Sequence, residues 1–182
     1  MTTTELIAQA LGIFGLIIIV LSYQFKSNRS FFLAQGTGSL FFFANFLLIG
    51  AYGGALFNLT NLLRGLLYAK NPDKRWKLWV VELAYTGCLV FSLILDSSPL
   101  SLLFVLLPYS ALVVMSVLMA RAKAVPIRVF QIAWMSPSWI AHNIFNLSIG
   151  GILCESLNMV SSAVFLLRLR AERKKSVAEK ND

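Results

Sequence analysis

Residues 44–61 read ANFLLIGAYGGALFNLTN, and residues 141–158 read AHNIFNLSIGGILCESLN. A displacement of 97 positions lays Ala44 on Ala141, Gly53-Gly54 on Gly150-Gly151, Leu56 on Leu153 and Asn61 on Asn158. The polar exceptions coincide too: Asn45 falls on His142 and Asn58 on Glu155, while upstream Lys26 falls on Lys123. Both stretches hold an apolar run, a glycine turn and a second apolar run with polar groups three residues apart. Self-similarity at one fixed displacement marks a duplicated unit.

The residues around these stretches belong to a membrane chain. Of 182 positions, 58% are hydrophobic and 13% charged, against about half and a quarter in soluble domains. That balance excludes a water-soluble globule. A membrane helix needs about 20 mostly apolar residues, and the apolar runs predict helices over 5–25, 31–49, 53–69, 78–95, 101–120, 129–147 and 152–169. The 97-residue register pairs helices one to three with helices five to seven. Three spans reverse the direction of the chain, so one extra span between two copies makes them parallel, and helix four is that connector. The expected fold is therefore an all-α integral membrane protein with seven transmembrane helices in a 3+1+3 parallel-repeat arrangement. Residues 1–76 form the first triple-helix bundle, 77–100 the connector, 101–170 the second bundle and 171–182 a basic cytoplasmic tail. Parallel repeats of this kind are a transporter plan, with the substrate site at the repeat interface near mid-membrane.

Charge sets the orientation. Of the 16 Lys and Arg residues, all but Arg64 fall in every second break between spans or in the tail. By the positive-inside rule those breaks are cytoplasmic, which puts the N-terminus outside and the C-terminus inside. The net charge of +8 is thereby explained by short connectors, and no basic face with interleaved aromatics suggests nucleic acid. The lipid bilayer is the expected partner, the basic tail a short helical extension at the inner headgroup surface, and a homo-oligomer stays open. The first apolar run carries Glu5 and lacks a basic leader, so it reads as an uncleaved span. Cys88 and Cys154 lie in apolar runs without ligand spacing, which predicts neither disulfide nor metal nor other cofactor.

Ionisable and amide side chains inside spans are expensive and need partners or water. Glu155 lies about one turn beyond the second glycine turn, and Asn158 and Ser162 continue its face. Asn58 and Asn61 repeat the spacing on helix three, and Ser138, His142 and Asn146 make a polar stripe on helix six beside Trp139. The expected solute-binding set is Asn58, Asn61, His142, Glu155 and Asn158. His142 and Glu155 are the proton-coupling candidates, provided that they share one cavity. Asn45 and Asn146 read equally as packing glue between helices. Arg64 and Glu82 lie near the cytoplasmic ends of helices three and four, where snorkelling is the default reading and a structural ion pair between them the sharper one. Gly36 and Gly38 permit close helix approach, and Pro108 and Pro137 are expected to interrupt helices five and six.

The segment from Trp139 to Arg168, with His142-Asn143, Ser148-Ile149-Gly150-Gly151 and Glu155, resembles the signature of the YgjV-type bacterial inner-membrane protein family. The resemblance runs nearly end to end, through Gly53-Gly54 and Leu107-Pro108, and implies the bacterial cytoplasmic membrane. At one remove, the three-one-three plan is similar to the SWEET and PQ-loop (MtN3-like) superfamily. That similarity implies facilitative or proton-linked movement of a small solute, with Asn61 and Asn158 matching the asparagines that touch substrate there. Helix one has no proline and hence no Pro-Gln pair, a departure that speaks against sugar. The expected function is a small-solute transporter with a polar pocket between two bundles, and the alternative is a non-transporting receptor or regulatory protein of the same fold. An enzyme is not expected, because H-E-x-x-H, G-x-S-x-G and an aspartate dyad are absent.

Overall fold

The computed structural model describes residues 2–22, 25, 27–71, 73–95, 98–121 and 124–178, and among these every regular element is helical. The helices are α1 (Thr3–Ser22), α2 (Asn28–Leu48), α3 (Tyr52–Tyr68), α4 (Arg75–Leu95), α5 (Pro99–Ala120), α6 (Ala124–Phe130), α7 (Ser136–Phe145) and α8 (Ile149–Ala178). A π-helical turn, Gln131–Met135, joins α6 and α7 into one unbroken stretch over residues 124–145. Each expected span thus falls on one helical stretch, because in hydrocarbon only an unbroken helix satisfies a lone segment's backbone. The last helix runs past residue 169 into the basic segment. Lys26, Lys123 and the end of the tail, including Lys180, lie outside the described residues.

Local chemistry explains several ends. Thr2 N–H donates to Glu5 Oε2 (2.9 Å) and Glu5 N–H to Thr2 Oγ1 (3.2 Å). This reciprocal cap gives a carboxylate a reason to stand at the mouth of the first apolar run. Ser27 and Ser98 cap α2 and α5, the latter with Pro99 in its first turn. Lys77 Nζ donates to the carbonyls of Leu67 (2.7 Å) and Lys70, folding the α3–α4 turn onto carbonyls that the end of α3 leaves unpaired. Helix α5 continues through Pro108, so no interruption occurs there. Ahead of Pro137 the stretch switches to π-helical hydrogen bonding without ending.

Helix α2 packs between α1 and α3, and the α6–α7 stretch packs between α5 and α8. Since α1 also touches α8 and α3 touches α5, the helices close a ring, with α4 outside it against α3 and α5. Helix α4 accordingly buries 17% of its apolar window, against 39% for α2. Glycine sets the closest approaches. A Cβ on Gly150 would stand 2.6 Å from the carbonyl carbon of Gly12, and Gly36 and Gly38 meet Gly65 of α3 and Gly15 of α1 respectively. With no hydrophobic drive between helices in lipid, such contacts supply packing that larger residues prevent.

Among the described residues, five helices, α1, α2, α4, α5 and α8, are long and apolar enough to cross a membrane. The exceptions are α3, at 17 residues, and the π-interrupted stretch. These two carry much of the polar chemistry.

Candidate functional site

Inside the ring lies a cavity of about 70 Å³, lined from α3 by Asn58, Asn61 and Arg64 and from α8 by Gly151, Cys154, Glu155 and Asn158. Helices α2 and α7 add Gln35, Ser39, Phe42, Phe46, Trp139 and Asn143, and Gln131 and Met135 line it from the π turn. Four of the five expected solute-binding residues therefore face one space. A water needs about 10–15 Å³ of such space, so the cavity in this conformation has room for several waters or a compact solute.

The amides are held differently. Asn61 Oδ1 accepts from the Tyr85 hydroxyl of α4 at 2.6 Å, and Asn58 Nδ2 donates to the Gly54 carbonyl at 2.9 Å. Asn158 Nδ2 reaches the Cys154 sulfur at 3.8 Å, while its Oδ1 is buried without a hydrogen-bond partner. Asn143 Oδ1 is likewise buried and unpartnered. In an ordinary core such orphaned acceptors are costly. Here both residues line a cavity.

Glu155 is held by partners that helical spacing does not show. Its Oε2 accepts from Ser136 Oγ (2.7 Å) and Gln131 Nε2 (3.2 Å), and Gln131 Nε2 also donates to Ser136 Oγ (2.9 Å). Residues five apart point away from each other on an α-helix. In the π turn the i to i+5 pairing brings them together, and Ser136 N–H accordingly bonds to the Gln131 carbonyl. The motif was legible, if at all, as a polar pair ahead of Pro137.

Two expectations are corrected. His142 does not share the cavity of Glu155; it lines a second cavity of about 400 Å³ with Gly50 to Gly53, Ser92, Phe145 and Asn146. The reason is Gly54, whose missing side chain leaves a notch: a Cβ there would stand 2.6 Å from His142 Cε1. The imidazole fills that notch, with ring centroids 5.3 Å from both Phe46 and Trp139, which themselves lie 6.0 Å apart. Three rings thus stand between the two cavities. Arg64 and Glu82 do not meet in a hydrogen-bonded ion pair. Arg64 turns inward, with Nη1 3.4 Å from Ser116 Oγ on α5, and Glu82 Oε1 is buried without a hydrogen-bond partner. Glu82 acts on Arg64 electrostatically without a hydrogen bond between them.

Several of the remaining polar residues act as ties. Asn45 Nδ2 donates to the Ala8 carbonyl (2.8 Å) and its Oδ1 accepts from Ser148 Oγ (2.9 Å). Asn146 Nδ2 donates to the His142 carbonyl at 2.9 Å, and Ser138 is buried with an unpartnered hydroxyl. Gln9 bridges the turn before α8, donating to the Leu147 carbonyl and accepting from Ile149 N–H.

Helices of membrane-spanning length around a buried polar cavity define a multi-pass membrane protein. A family model for a bacterial inner membrane protein, Imp-YgjV, matches residues 6–173. The chain belongs to this family, and its place is the bacterial inner membrane. No curated protein and no solved structure matches it.

Proposed function

We propose that this protein is a small-solute transporter in which two parallel triple-helix bundles, joined by α4, rock about the central cavity. The observation that carries this reading is the symmetry of the lining. At the 97-residue displacement, Phe42 pairs with Trp139, Phe46 with Asn143, Asn58 with Glu155 and Asn61 with Asn158, and all eight line the cavity. The contacts of α1 with α8 and of α3 with α5 exchange under the same displacement. So do Gly50 (φ 77°) and Leu147 (φ 53°), the left-handed residues of the two glycine turns. A site built from equivalent positions of two halves suits alternating access, because each half offers similar surfaces to either rocked state.

In this reading the N-terminus is outside, the 400 Å³ cavity is an outer vestibule, and the Phe46, Trp139 and His142 rings form the closed outer gate. The separation of His142 from Glu155 leaves Glu155 as the proton-coupling group. The plan is SWEET-like, and no enzymatic step is assigned. The test is counterflow of radiolabelled solutes into proteoliposomes, with wild type and Asn158→Ala inserted at equal levels. A transporter exchanges at least one solute, and Asn158→Ala loses that exchange while remaining folded. A receptor of the same fold binds solute without exchange, and that result overturns the reading.

A further inference from the structure

The cavity joins a permanent cation to a carboxyl group without pairing them. Arg64 is 6% exposed, its hydrogen bond goes to a neutral hydroxyl, and the carboxyl group that acts on it, Glu82 of α4, lies outside the cavity lining. Glu155 is held by a hydroxyl and an amide. Arg64 lies eleven residues beyond Gly53 and Glu155 five beyond Gly150, so Arg64 is about 9 Å further along its helix from its glycine turn. Buried charges are tolerated when paired or solvated, and a ligand that supplies the missing counter-charges gains what the apo site lacks.

The two ends differ in hydrogen-bonding sense. On α8, Gly151, Glu155 and Asn158 share one face at spacings of four and three. Asn143 Oδ1 abuts Gly151, and Asn158 Oδ1 lies a turn beyond Glu155; both oxygens are buried and unpartnered. This end presents acceptors, and an ammonium carries three donors. At the other end a guanidinium offers donors suited to a carboxylate. We propose that the cavity takes a small zwitterion, a compact aliphatic amino acid. Its ammonium lies on Glu155 and the Asn143 and Asn158 oxygens, and its carboxylate on Arg64. This deepens the transport reading and rests on the same cavity. A neutral sugar offers neither an ammonium to Glu155 nor a carboxylate to Arg64, and a singly charged amine or acid offers one of the two. The zwitterion compensates both and adds no net charge to the membrane interior.

The test uses the full chain in nanodiscs and reads thermal stabilisation by glycine, β-alanine and 4-aminobutyrate, with propylamine, propionate and glucose as controls. At least one amino acid is expected to raise the melting temperature in a concentration-dependent manner, with the controls at least tenfold weaker. Arg64→Gln is expected to reduce that preference over propylamine to within twofold, Arg64→Lys to retain part of it, and Asp73→Asn, exposed in the α3–α4 turn and outside the cavity lining, to leave it intact. The proposal is overturned if glucose or a singly charged compound matches the best amino acid, if no amino acid stabilises wild type, or if Asp73→Asn erases the preference. Wild-type comparisons suffice should Arg64→Gln fail to fold. Counterflow separates the two readings: amino-acid binding without exchange rejects transport and keeps the ligand class. Exchange of glucose without amino-acid binding does the reverse.

Discussion

Replacing Gly150 by alanine probes the crossing of α1 and α8. The added Cβ would lie 2.6 Å from the Gly12 carbonyl carbon and 2.8 Å from its Cα. Restoring about 3.4 Å, where ordinary van der Waals contact begins, means moving the helices apart by about 0.8 Å. The obstacle is backbone, which cannot rotate away as a side chain does. Overpacking of this kind costs about 1–3 kcal/mol. The same displacement stretches the bond from Ser148 Oγ to Asn45, now 2.9 Å, at about 1 kcal/mol more. For a chain of this size about 2–4 °C per kcal/mol converts the sum to a fall of roughly 4–16 °C in melting temperature, read by differential scanning fluorimetry in detergent. Gly87→Ala is the internal control, since a Cβ there meets nothing within 4 Å. It removes a helix penalty of about 1 kcal/mol and should leave the melting temperature unchanged or slightly higher. A Gly150→Ala protein melting within about 1 °C of wild type would refute the close crossing.

Three further outcomes are expected. Asn61→Ala strands the Tyr85 hydroxyl, whose hydrogen bond goes to Asn61; it should destabilise by about 1–3 kcal/mol, whereas Asn158→Ala, with its Oδ1 already unpartnered, should cost less in the same melt. Leu147→Gly relieves a left-handed residue at φ 53° and should stabilise by about 1 kcal/mol, visible as a higher melting temperature. Ser136→Ala removes the 2.7 Å bond to Glu155 and should lower stability by about 1–2 kcal/mol, with Ser136→Thr restoring part of it; equal melting of wild type and Ser136→Ala would count against that contact.

The helices were readable because apolar run length and glycine turns are written in the linear order, and α3 was found despite its 17 residues. Asn58, Asn61, Glu155 and Asn158 were found together because each half repeats a polar pair three residues apart, and these four line one cavity. His142 was misplaced because helical spacing gives neighbours on a face but not the direction of that face. The notch at Gly54 that receives the imidazole belongs to another helix. Gln131 and Ser136 went unseen for a different reason: their approach depends on a π turn, and a 3.6-residue period assigns them to separate faces. Arg64 turned to Ser116 instead of Glu82, a choice made by a long side chain's rotamers and by a cavity that only the assembled ring creates.

The most direct test of the account is the aqueous accessibility of residue 158. Asn158→Cys, in a background where Cys88 and Cys154 are serine, would be treated with a charged methanethiosulfonate applied separately to each side of sealed vesicles. Leu147→Cys, at a turn residue that is 76% exposed, reports complete labelling from its own side. The account predicts that residue 158 reacts from both sides, more slowly than residue 147, and that a bound solute protects it. Reaction after denaturation alone, or from one side whatever the solute, would contradict a cavity that opens alternately.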